Sequence, residues 1–147
     1  MMATRTILSR SRCPVSSSRR IDMQQPPYAE VIGARRNHAD GEPILTIPWR
    51  IEIQGRPGFV HGGVIAGLLE MACYEALNQE LGEGDHPRVK PINVAVDYLR
   101  GGVMIDTHAV AQIVRVGKRV ANASAICWQD DRAKPIATAR MHLLLDR

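Results

Sequence analysis

Aromatic side chains are scarce in this 147-residue chain, which has one Phe, three Tyr and two Trp. Cysteine is scarcer still. Cys13, Cys73 and Cys127 are odd in number and widely spaced, which fits neither a disulfide framework nor a zinc site. Cys73 falls on an apolar helical face and Cys127 in an alternating strand, so both read as small core residues in a reducing compartment. No apolar run is long enough to span a bilayer, so no membrane partner is expected. His108 and His142 lie in strand patterns without metal-ligand spacing, and no metal site is expected. There is no internal repeat.

Acidic residues are absent from the first twenty positions, which hold Arg5, Arg10, Arg12, Arg19 and Arg20. The formal charge of +4 comes from that arm. The remainder carries 14 basic and 15 acidic residues. That leaves no basic face suited to duplex nucleic acid. Residues 1–22 are expected to be a disordered arm, or an extended start upstream of Met23. The arm shares its Ser- and Arg-rich composition with mitochondrial transit peptides, but no apolar stretch follows its charges as in a secretory signal. Residues 23–147 are expected to form one domain, long enough to bury a core. Its expected location is cytoplasmic, or mitochondrial if the arm is a transit peptide.

Tyr28–Arg36 reads as a short helix or turn, and Ile44–Ile53 as a strand in which Pro48 marks an edge or a bulge. Gln54–Phe59, with Gly55, Pro57 and Gly58, is a loop. His61–Leu81 is the one long helical pattern. Val64, Ile65, Leu68, Leu69, Ala72, Cys73, Ala76 and Leu77 recur on one face, and Gly82 and Gly84 close it. Four strand patterns follow: Val89–Leu99, Val103–Val116, Arg119–Gln129 and Ile136–Leu145. The turns at Gly101-Gly102, Gly117-Lys118 and Asp130-Asp131 predict an antiparallel meander. One strand, a long helix and four more strands predict an α+β fold, a curved antiparallel sheet wrapped around one central helix.

The helix carries the chemistry. A glycine pair, Gly62-Gly63, stands at its start, where unpaired N–H groups and the positive end of the dipole can receive an oxyanion. Glu70 lies eight residues on, in an otherwise apolar helix where a carboxylate needs a reason. Gly63, Gly67, Glu70 and Tyr74 share a face away from the main apolar stripe. Glycine there admits the close approach of another backbone or a ligand. From Gly62 to Glu70 is about 12 Å along the axis, too far for both to act on one carbonyl. Two copies of the helix, set antiparallel by a two-fold axis, could bring Gly62 of one against Glu70 of the other.

His61-Gly62-Gly63 followed by Glu70 resembles the hotdog-fold acyl-CoA thioesterases of the phenylacetate-pathway and 4-hydroxybenzoyl-CoA types. Supporting stretches are Asn93–Arg100 and Val116–Arg119. The resemblance runs from about Tyr28 to Leu145. It implies a homodimer, often paired into a homotetramer, that hydrolyses acyl-CoA without a cofactor, coenzyme A being part of the substrate. It implies that the Gly62 N–H polarises the thioester carbonyl and that Glu70 is the nucleophile or general base. His61 would orient the turn or touch substrate. Gly63 and Tyr74 would border the substrate, while Arg100, Lys118 and Arg119 would hold coenzyme A, in part from a neighbouring subunit.

Three positions depart from the family. Many relatives carry Asp in place of Glu70, although the 4-hydroxybenzoyl type carries Glu. Gly55 stands where relatives have Asn or Gln, which Gln54 could replace if the loop is shifted. Tyr74 replaces a Ser or Thr. Gly55 supports an alternative of a different class, a hotdog protein that binds acyl-CoA or an acyl carrier without turnover. A hydratase on this fold would need a His–acid pair at other positions.

Overall fold

The computed structural model describes residues 26–39, 41–84 and 86–147. The expected arm over 1–22 lies outside the described residues, and so does Cys13. Proline fits the first turn of a helix, where an N–H has no partner to lose, and α1 (Pro27–Ile32) begins this way. Gly33, at φ 72°, ends it in the left-handed conformation. The chain then enters strand β1 (Arg35–Ala39), whose first two residues fall within the stretch Tyr28–Arg36 read as a helix or turn. The strand wins because its partner is already at hand. Arg35 lies opposite Thr46 and Ala39 opposite Glu42 on strand β2 (Glu42–Ile47). β2 stops short of the predicted Ile53, because Pro48 has no N–H for the ladder, and Ile51–Ile53 is a single 3-10 turn.

Helix α2 (Gly62–Leu81) spans the predicted helix, with His61 as its N-cap and Gly82, at φ 63°, after its last residue. Strands β3 (Arg88–Tyr98), β4 (Thr107–Val116), β5 (Val120–Trp128) and β6 (Ala137–Asp146) follow. All neighbouring strands are antiparallel, in the order β1-β2-β4-β5-β6-β3. This is the α+β hotdog arrangement, with the curved sheet around the central helix. Among the described residues, no helix is long and apolar enough to cross a membrane.

The meander holds only for β4, β5 and β6. β3 does not pair with β4; it lies at the sheet edge beside β6, Tyr98 opposite Ala137. Two constraints separate β3 from β4. The Leu99 and Arg100 N–H groups both donate to the Ile136 carbonyl, tying the end of β3 to the start of β6. The Gln129 side chain then accepts from the Val103 N–H at 3.0 Å and donates to its carbonyl at 2.9 Å. Val103 is thereby engaged outside the ladder, and β4 begins only at Thr107. Pro91 inside β3 is the sequence signal for an edge strand.

The inner faces of the central strands carry small residues, with Ala109 on β4, Ala121, Ala123 and Ala125 on β5, and Ala137 and Ala139 on β6, all buried. Small side chains let α2 lie close to the sheet, while Leu68, Leu69, Cys73 and Leu77 of the helix fill the space between them. Glu75, buried on the same helix, meets Arg36 of β1 at 2.7 Å. Gly67 is buried beneath the ring of Tyr28. A Cβ at Gly67 would come within 2.5 Å of that ring, so the glycine is what lets the Tyr28 ring lie on α2, while α1 docks through buried Ala29 and Ile32.

Gly67→Ala is therefore expected to destabilise the fold in urea unfolding by about 1–3 kcal/mol, as overpacking does. In a Tyr28→Ala background the same change should stabilise it by about 1 kcal/mol, the ordinary helix preference for alanine. Additive effects of the two substitutions would contradict the contact.

Candidate active site

The chain reaches α2 through a tightly tied loop. Gly55 N–H donates to the Phe59 carbonyl at 2.9 Å, Val60 N–H to Gly102 at 2.8 Å, and His61 N–H to Ile53 at 2.8 Å. A Cβ at Gly55 would lie 2.9 Å from the His61 Cα. The close approach of these two backbones explains why no Asn or Gln stands there. Gln54 bridges to Val60 and does not line the cavity described below.

His61 caps the helix. Its Nδ1 accepts from the Gly63 N–H at 2.9 Å, which places the proton of the neutral ring on Nε2. Its carbonyl accepts from the Val64 and Ile65 N–H groups. Among the described residues, the Gly62 N–H is left with no acceptor. A Cβ at Gly63 would press on the His61 ring at 3.0 Å, so the second glycine serves the cap. Tyr98, from the end of β3, donates its hydroxyl to the Gly62 carbonyl at 2.8 Å.

Beside this turn lies a cavity of about 460 Å3, lined by Gly55, Arg56, Phe59, His61, Gly62, Tyr98 and Arg100 among others. The Arg56 guanidinium stacks on Phe59 at 4.0 Å, and Arg100 donates to the Pro135 carbonyl at 3.1 Å. Two guanidiniums and a helix N-terminus make this cavity attractive to negative charge. Arg56, Phe59 and Tyr98 line it although the sequence did not single them out as site residues. A signal for the first two exists, since a Pro57-Gly58 turn brings residues three apart together.

Glu70 does not line that cavity. It is half-buried two turns along the helix, about 12 Å from Gly62. Among the described residues its carboxylate has no hydrogen-bond or ion-pair partner. Burial raises its pKa above the usual 4.5. The Cys73 thiol is pushed up to about 12 by burial and by the Glu70 charge, which removes it as a nucleophile. The Tyr74 hydroxyl is raised for the same reasons, and Tyr74 packs against the core half-buried.

Lys118 and Arg119 stand exposed in the turn between β4 and β5. That turn is at the far end of the sheet from the cavity, a strand length of about 30 Å away. One chain therefore joins His61, Gly62 and Arg100 around the cavity, and keeps Glu70, Lys118 and Arg119 apart from it.

The family model of the thioesterase superfamily matches residues 57–136, from the loop before His61 to the start of β6. The chain belongs to the thioesterase superfamily. A Bordetella protein of this superfamily is 30% identical and superposes with a TM-score of 0.70, covering 83% of this chain and 90% of its own. A Chromobacterium violaceum protein is 34% identical at a TM-score of 0.66, covering 82% and 84%. A Bacillus halodurans protein solved with CoA shares the fold at a TM-score of 0.73 and 21% identity, covering 82% and 78%. The chain matches no curated protein.

Within this thioesterase-superfamily chain, Glu70 holds its proton more tightly folded than unfolded, so its ionisation lowers stability as pH rises past 4.5 toward the raised value. Glu70→Gln is expected to raise the melting temperature at neutral pH. Below about pH 4, where the carboxyl is protonated in both states, the gain should vanish. A neutral-pH melting temperature lower than that of the wild type would contradict the unpartnered carboxylate.

Proposed function

We propose that the protein hydrolyses an acyl-CoA thioester at a site completed by a second copy of the chain. One observation carries this reading. Among the described residues, a single helix holds an unused N–H at Gly62 and an unpartnered, half-buried carboxylate at Glu70, about 12 Å apart. Each is half of an acyl-transfer site.

The edge of β3 supplies a way to join the halves. Among the described residues β3 pairs only with β6, so alternate N–H and C=O groups along its eleven residues face an open edge. A second copy added edge to edge about a two-fold axis would run the two central helices antiparallel. The Gly62 N–H of one copy would then face Glu70 of the other.

In that arrangement the thioester oxygen accepts from the Gly62 N–H. Glu70 takes the proton of a water that attacks the carbonyl carbon, or attacks that carbon itself to give an anhydride that water opens. Negative charge gathers on the oxygen at the helix N-terminus. The C–S bond breaks, and the thiolate leaves as CoA once protonated. His61 holds the turn. Arg56 and Arg100 at the mouth, with Lys118 and Arg119 from a neighbouring copy, suit the phosphates of CoA. The CoA held by the Bacillus halodurans fold relative supports this choice of thiol. A binder without turnover is the second reading, favoured by the lack of a polar side chain at Gly55.

Gly62→Pro removes the N–H and adds a ring whose Cβ makes an ordinary 3.5 Å contact with Tyr98. Proline suits a first helical position, and His61 already has φ −62° and ψ 131°, which a following proline requires. Thiol release from acyl-CoAs is expected to fall about 10²–10³-fold, and about 10²–10⁴-fold in Glu70→Ala. Mixing these two inactive chains should restore about a quarter of wild-type activity, because random pairing makes half the dimers mixed, each with one intact site of two. No recovery would mean that the two groups do not act across chains. Tight CoA-ester binding by the wild type, with no thiol released, would favour the binder.

A further inference from the structure

The Gly62-Gly63 dipeptide is the least constrained backbone a helix can start with, since glycine has no Cβ to restrict it and helix ends fray. An oxyanion donor there has to be held. The peptide before Gly62 is fixed by its carbonyl, which accepts from Val64 and Ile65. The peptide after it is gripped at both ends, its N–H by the His61 ring at 2.9 Å and its carbonyl by the Tyr98 hydroxyl at 2.8 Å. The His61 bond is local, two residues apart. The Tyr98 bond reaches across 36 residues from another element and, among the described residues, is the hydrogen bond that ties the glycine pair itself to a strand. The Tyr98 ring also stands 3.5 Å from the place a Gly62 Cβ would take, so it walls the side of the donor as well as bonding beside it.

We infer that Tyr98 is a positioning residue for the Gly62 N–H, aligning it with the developing oxyanion through the bond to the Gly62 carbonyl. This rests on the thioesterase reading above. The tether comes from β3, the strand whose open edge is the one offered to a second copy.

Tyr98→Phe removes the hydroxyl and keeps the ring. A hydrogen bond that serves the transition state predicts a fall in kcat of about three- to tenfold, KM within about twofold, and no matching fall in melting temperature. In the Gly62→Pro background, where the donor is gone, Tyr98→Phe should change kcat no further. An unchanged kcat overturns the inference, and so does a full additional loss in the Gly62→Pro background. Amide exchange read by NMR tests the same tether without turnover. Exchange at Gly63 should speed several-fold in Tyr98→Phe, and an unchanged rate there also overturns the inference. A wild-type protein that releases no thiol defeats the thioesterase reading instead, and leaves the exchange result to decide on the tether.

Discussion

A long helix can lie in the hollow of one sheet only if the sheet gives it room, and here alanines give it. The inner faces of β4, β5 and β6 carry Ala109, Ala121, Ala123, Ala125, Ala137 and Ala139, while the bulk comes from Leu68, Leu69 and Leu77 on α2. Larger residues on those strands would push the helix away. Its N-terminus would then no longer sit between the loop at Gly55 and the end of β3. The cavity, the cap and the tether at Gly62 all follow from how closely helix and sheet approach.

The site is where this packing leaves groups unsatisfied. Buried polar groups are normally paired, and Glu75 shows the ordinary solution in its contact with Arg36. Among the described residues, Glu70 and the Gly62 N–H have no partner. One is a desolvated base and the other an open donor, so each has kept the bonding capacity that a reaction would use. At Glu70 this costs stability once the carboxyl ionises.

Three of the few aromatic rings lie against backbone or a guanidinium along α2 and the cavity, while Tyr74 and Trp49 pack on the core. Tyr28 lies on Gly67, Tyr98 on Gly62, and Phe59 carries Arg56 at the cavity. Each is a flat ring laid against backbone or guanidinium, which suits a wall better than a filler. Trp128 is buried in another place, against His108 at 5.6 Å with Arg132 over its ring.

Local features of the sequence were enough for much of this. The span of α2, its cap at His61, the glycine pair, the separation of Glu70 and the hairpins from β4 to β6 are set by contacts a few residues apart. Propensity, periodicity and turn chemistry act over that range. Tertiary structure alone decided the rest. β1 is a strand because β2 lies beside it, and β3 left the meander because Ile136 captured its end. Gly67 is filled by a ring from α1, and Tyr98 reaches Gly62 across 36 residues. Such pairings depend on which surfaces the folded chain brings together, and no run of neighbouring residues contains that information.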